Sequence, residues 1–429
     1  MKKAILLLGM IIFVAGILFF KDADADTVLI KQPIYWENLV QNTEEQFTEE
    51  SIKEELPIEE TQKEDLELIT EMQQSEETAE DTPVDTIILA EQDNVSGVAF
   101  LQLTLEEQKV YSEILSSLLA LEKETTLSVK DTSLINKAFQ CVMLDHPEIF
   151  YVDGYKYTEY SSDEIVHKIV FSGNYIYDDE EIQSRKEKIQ ERVCEIIKMA
   201  PDTEDDYEKV KYVYENIILH TEYDTASVDN QNICSVFLNG RSVCQGYAKA
   251  VQYLLREMGI ASSLVIGTVR QGDGHAWNLV SVNDNWYYLD ATWGDAFYLF
   301  GNEEQKQMIN NEFSVNYDYL CVTTEQIQQT HTIDMPVELP QCTSLVDNYY
   351  VREGVYFENY DENRIRTLFL VAQDAGEETI TLKCSDSTVY DAVCMELLDN
   401  QKIFEFIQTT EGAVAYTDNK EQCSITFWF

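Results

Sequence analysis

The chain has 429 residues, a formal net charge of −49 and a pI near 4.2. Such an acidic surface argues against nucleic acid or anionic lipid as partners, since both are held by basic faces. No Gly-rich phosphate loop, CxxC pair or His cluster points to a nucleotide or metal, and no repeat at a solenoid period is present.

Lys2-Lys3 precedes an uncharged apolar run, Ala4 to Phe20, and Ala23-Asp24-Ala25 has the small-x-small form of a cleavage site. Two readings of residues 1–25 stay open: a signal peptide removed after Ala25, or a retained N-terminal membrane anchor, for which 17 apolar residues are near the lower limit. Either places the body of the protein outside the cytoplasm, at the cell surface or secreted. No cysteine follows closely, so lipoprotein attachment is not expected.

Residues 26–97 form an acidic stretch, with 19 Asp or Glu between Gln41 and Phe100 against only Lys53 and Lys63. Too little apolar surface is available there to offset the entropy of ordering the chain, which predicts a disordered or partly helical stalk. The folded part begins near Val98. Thr104-Leu105-Glu106-Glu107 opens a helix, Asp131–Leu144 gives a second, and Phe150–Tyr157 and Val166–Tyr177 read as strands. Charged helices follow over Asp178–Met199 and Thr203–His220. Helices mixed with strands before the cysteine helix, and strands after it, predict an α+β fold. His146 and His220 fall at element ends and read as structural.

The stretch from Gly240 to Asp295 carries the chemistry. Ser242-Val243-Cys244-Gln245 has the form of a capping box with Ser242 as N-cap. That places Cys244 in the first helical turn, where unpartnered N–H groups favour a thiolate and could hold an oxyanion. Gly246 is read as leaving room for a substrate. Ala248, Val251, Leu255 and Met258 continue the apolar stripe from Cys244. The bland alternative is a buried cysteine acting as a small hydrophobe.

Gly272-Asp273-Gly274 is a turn before a strand that places His275, Trp277, Leu279 and Ser281 on one face. If Asn283-Asp284 is a two-residue hairpin turn, Val282 pairs with Asn285 and Asp290 falls opposite Trp277, diagonal to His275. A slip of one residue would turn Asp290 to the other face. In the expected register His275 takes the thiol proton of Cys244 and Asp290 orients the ring. The bland alternatives are a structural histidine and a strand-end carboxylate.

V-C-Q-G-Y-A at 243–248, G-H-A-W-N-x-V at 274–280 and W-Y-x-L-D-x-T-W-G-D at 286–295 resemble the transglutaminase-like superfamily, closest to the exported branch of Gram-positive bacteria. Weaker likeness extends to Leu144–Val152, to Tyr223-Asp224 and to Glu325–His331, so the resemblance covers about Gln102 to Pro340. It implies a papain/transglutaminase-like core at about 205–335, a nucleophile helix packed on an antiparallel sheet, within a domain spanning 98–340 whose N-terminal part is expected to be helical. It also implies Cys244 as nucleophile, His275 as base and Asp290 as its orienting partner. No calcium-loop spacing is present, so the calcium of eukaryotic relatives is not carried over. No cofactor is expected.

After Pro340 the pattern restarts. Tyr349–Glu358 reads as a strand, Asn363–Ala375 as a helix, Thr379–Cys384 as a strand, Val389–Gln408 as a helix, and Ala413–Tyr416 and Cys423–Phe429 as closing strands. Residues 341–429 are therefore expected as a small α+β domain. Nine cysteines are scattered along the chain. A free nucleophile leaves an even remainder, and ordinary thiols fit that scatter better than disulfides.

These readings lead to an envelope thiol acyl enzyme that acts on amide bonds of protein or peptide substrates, cell-wall-associated ones included. Peptidase or amidase comes first and cross-linking transglutaminase second. The alternative from another class is a non-catalytic binding module that retains the fold. A transferase of acetyl groups is a third, for which no cofactor pocket is legible.

Overall fold

In a computed structural model of the chain, the described residues are 18–22, 25–31, 97–162, 165–269, 272–295, 315–377, 379–407 and 414–428. Most of the run expected as an export signal and almost all of the acidic stretch lie outside them, but the described pieces of both are strands, Leu18–Asp22 and Ala25–Lys31, so ordered structure begins before Val98, where the sequence placed its start. Among the described residues, no helix is long and apolar enough to cross a membrane.

Strands β1 (Leu18–Asp22) and β2 (Ala25–Lys31) form a hairpin. It continues an antiparallel sheet with β3 (Thr125–Leu127), β4 (Val152–Ser162) and β5 (Ile165–Tyr175), in the order β1-β2-β4-β5-β3. Helices α1 (Leu105–Leu119) and α2 (Ser133–Asp145) belong to the same part of the chain. The expected start of α1 is present: Thr104 and Glu107 cap each other reciprocally, at 3.3 Å and 2.8 Å. Helices α3 (Asp179–Lys198) and α4 (Asp206–His220) follow, capped by Asp178 and Asp205.

The second sheet holds the candidate site. Helix α5 (Cys244–Glu257) precedes β8 (Ser262–Val269), β9 (Asp273–Val282) and β10 (Asn285–Leu289), with two short parallel strands before it, β6 (Glu222–Tyr223) and β7 (Arg241–Ser242). A late strand, β11 (His331–Ile333), completes the antiparallel order β10-β9-β8-β11. Helix α5 lies against β9, where the Asn278 amide donates to Ala248 O at 2.9 Å. Behind the opposite face, Val265, Trp277, Leu279, Tyr288, Trp293, Tyr319, Val322 and Ile327 form a buried apolar cluster. The hairpin register is the expected one. Val282 pairs with Asn285, and Asn283 and Asp284 both take positive φ, 47° and 65°. That turn follows the right-handed twist of the strands and suits these two residues.

A third sheet, β12-β13-β15-β14, lies in the C-terminal part. Its strands are β12 (Tyr356–Phe357), β13 (Thr379–Cys384), β14 (Ala415–Asn419) and β15 (Ser424–Trp428). The expected strand at Tyr349–Glu358 is a helical turn, Tyr349–Arg352, followed by the short β12. The Asn348 side chain caps that turn, and Gly354 at φ 72° ends it. The expected long helix is broken into Ser387–Cys394, a π turn at Met395–Asp399, and Ile403–Phe406. All nine cysteines are free thiols. The fold class is α+β, as expected.

Candidate functional site

Cys244 is the first residue of α5, and the residue before it, Val243, is the extended N-cap with no side-chain cap bond. The expected capping box is therefore absent. Ser242 instead sits in β7 paired with Tyr223, and its hydroxyl is buried between Ser235 Oγ (2.6 Å) and Asn230 O (2.9 Å). The cysteine still lies in the first turn, and no side chain consumes the N–H groups there. The reading of Gly246 is also corrected. A Cβ at Gly246 would fall 1.9 Å from Ser242 Oγ and 2.9 Å from Asn230 O, so this glycine serves close packing, not substrate access.

His275 lies near the start of β9, and Asp290 follows the end of β10. Both are buried, as is Cys244. His275 Nε2 is 2.7 Å from Asp290 Oδ2. The carboxylate can only accept, so Nε2 carries the proton, which leaves Nδ1 as the ring nitrogen for the Cys244 side chain. Burial works against a charged His275, but Asp290 and then Cys244 outweigh it and push this histidine up to about 10. Burial likewise opposes the charge on Asp290, yet His275 and His331 hold its carboxyl well below the usual range.

Asp290 is more fully engaged than the sequence indicates. Its Oδ1 accepts the backbone N–H of Thr292 (2.9 Å) and Trp293 (3.1 Å), capping a short helix at Ala291–Gly294. Its Oδ2 also takes His331 Nε2 at 3.0 Å. His331 begins β11, and its Nδ1 lies 2.8 Å from Thr330 Oγ1. The sequence placed His331 only at the end of a weak flanking likeness. It stands 41 residues beyond Asp290 with no local pattern tying the two together. The Tyr223-Asp224 pair is structural here: Tyr223 packs on Tyr247, and Asp224 accepts from Ala226 N and pairs with Arg241.

His275, Asp290 and His331 also make a group whose donor atoms all lie within 4.8 Å of one another, close enough to hold a metal ion. A metal would displace the Nε2 protons that both rings now direct at Oδ2. A thiol, an imidazole and a carboxylate in series can accept a proton from the sulfur and return it to a leaving amine.

Residues 197–291 match the family model described as the transglutaminase-like superfamily. That span contains Cys244, His275 and Asp290 and stops short of His331. The core of the fold is transglutaminase-like. Among solved structures, the chain is similar to a TGase at 16% identity and TM-score 0.25, covering 33% of this chain and 44% of that one. It is similar to a candidate cysteine protease from Cytophaga hutchinsonii at 18% identity and TM-score 0.23, covering 32% and 61%. It is also similar to the periplasmic domain of TgpA from Pseudomonas aeruginosa at 13% identity and TM-score 0.21, covering 33% and 69%. The chain thus spans less than two thirds of the length of the first two. No curated protein sequence matches it.

Proposed function

We propose that the protein is a cell-envelope thiol acyl enzyme acting on amide bonds of proteins or peptides. Cys244 attacks the carbonyl, His275 takes the thiol proton and returns it to the departing amine, and Asp290 holds the ring in place. The N–H groups of the first turn of α5 stabilise the oxyanion. Water then releases the acyl group in a peptidase or amidase, which we place first. A second amine does so in a transglutaminase. The observation that carries the reading is His275, buried between Cys244 and Asp290 and hydrogen-bonded to the carboxylate at 2.7 Å. The envelope setting is supported by the basic start and apolar run at Lys2–Phe20.

The test is the rate at which iodoacetamide alkylates Cys244 against pH, read by peptide mapping beside His275→Ala. The small reagent suits a buried thiol. Burial pushes Cys141, Cys234, Cys342 and Cys384 each up to about 12 and so suppresses them as competitors, while Cys194, which is exposed, serves as the accessible-thiol control. Fast labelling of Cys244 well below pH 8.5, the free-thiol value of about 8.5, and its loss in His275→Ala are the expected outcome. Slow labelling at the Cys194 rate, indifferent to the substitution, would transfer the case to a binding module that retains the fold.

A further inference from the structure

We propose that His331 is a positioning residue of this site, a neutral second donor that shares Asp290 Oδ2 with His275 and fixes the carboxylate that orients the base. The inference rests on the triad reading above and extends it by one residue that lies outside the family match.

The argument starts from the bonding capacity of Asp290. Its two oxygens receive four donors: two backbone N–H groups on Oδ1, and the two imidazole Nε2 atoms on Oδ2. An ionised carboxylate cannot donate, so the Nε2 of His331 carries a proton. Its other nitrogen faces the Thr330 hydroxyl, which can supply the proton for that bond. One ring proton therefore satisfies both partners, and a charge on His331 is not needed.

The surroundings favour the neutral ring. His331 is enclosed by Trp277 and Trp293 at 4.8 Å, Tyr319 at 5.8 Å and His275 at 5.4 Å between ring centroids. Burial lowers the His331 pKa, and Asp290 only partly offsets that. Two imidazolium rings at this spacing would repel each other strongly in a buried site. Among the described residues, Tyr214 from α4 and Tyr319 also interact electrostatically with the carboxylate. Burial raises both, which keeps them neutral.

The backbone is arranged to bring His331 there. Strand β11 pairs with β8 at His331–Val269 and Ile333–Gly267, while Gly267 also faces His275 across β8 and β9. A Cβ at Gly267 would fall 2.0 Å from Thr332 O and 2.8 Å from the Trp277 ring. Only a residue without a side chain allows β11 this approach.

A merely structural histidine would leave the pH profile of the site unchanged, so that profile is the readout. Cys244 alkylation is followed from pH 4 to 9 in wild type, His331→Phe and His331→Gln, with the melting temperature of each. Phe keeps a ring without a donor, and Gln restores an N–H. The expected result is that Phe moves the acid limb of labelling up by about one unit, which slows labelling on that limb about tenfold, while Gln recovers most of both. A folded Phe variant with the wild-type profile overturns the proposal. If Phe does not fold, nitrogen NMR of the wild-type rings decides: a neutral His331 protonated on Nε2 supports the proposal, and a charged ring or one protonated on Nδ1 overturns it. Failure of the triad reading is separate and is seen as indifference of Cys244 to His275→Ala.

Discussion

At the scale of single residues, the coupling of His275 to Asp290 carries a pH signature. A histidine held up to about 10 in the folded protein, against about 6.5 when unfolded, stabilises the fold fully below the unfolded value. That contribution fades as pH rises through about 10. Asp290, held low, contributes above its unfolded value of about 3.9 and loses its contribution at more acid pH. The expected outcome is a melting temperature that declines between about pH 6.5 and pH 10 in wild type. Asp290→Asn removes most of that slope, and a parallel slope in this variant would refute the coupling. His275 and Asp290 were legible because a two-residue turn of Asn and Asp fixes one register. His331 was not, because a contact across 41 residues depends on which strand edge β11 chooses, and a three-residue strand has almost no pattern of its own.

At the scale of elements, α5 was legible from its apolar stripe, but its start was misread for a physical reason. A serine two residues before the cysteine matches the capping box, yet β7 pairs with β6 and turns the Ser242 hydroxyl toward Ser235 and Asn230. Tertiary hydrogen bonds displaced a local one. Gly246 closes the same contact from inside the helix. Gly246→Ala is expected to destabilise the fold by about 1–3 kcal/mol, the usual cost of overpacking, despite the better helix propensity of alanine. Thermal or urea unfolding checks this. A neutral or stabilising result would show that Ser242 and Asn230 yield readily. Gly267→Ala is expected to act at a distance, slowing Cys244 labelling by displacing β11 while leaving α5 intact, as read by alkylation beside circular dichroism.

For the molecule as a whole, the C-terminal part has its own apolar cluster around Phe369, Leu382, Val393, Ile425 and Phe427. It is also fastened to the ground beneath the site. Lys383 Nζ reaches Asp318 at 3.0 Å with both side chains buried, and Ser424 and Asn419 donate to the other carboxylate oxygen at 2.8 and 3.1 Å. Tyr317 stacks on Tyr349 at 3.8 Å. Next along the chain, Tyr319 O accepts the backbone N–H of Asp290 at 3.0 Å. Removing one member of a buried ion pair leaves the other uncompensated, so Lys383→Met is expected to cost about 3–5 kcal/mol. It is also expected to slow Cys244 labelling, although Lys383 touches none of the three site residues. A stable variant with unchanged labelling would show that the two parts are energetically independent. Little of this fastening could be read from sequence, since Asp318 lies in a single 3-10 turn, Tyr317–Tyr319, too short to show a period.

The clasp on Asp318 also imposes an order in time. Lys383 and Ser424 follow it by 65 and 106 residues. In a chain that emerges from the ribosome, or is threaded across a barrier, N-terminus first, the cysteine, histidine and aspartate are all present long before the groups that steady the segment beneath them. The nucleophile is thus synthesised early and completed late, and through that interval Asp318 has neither its lysine nor its serine.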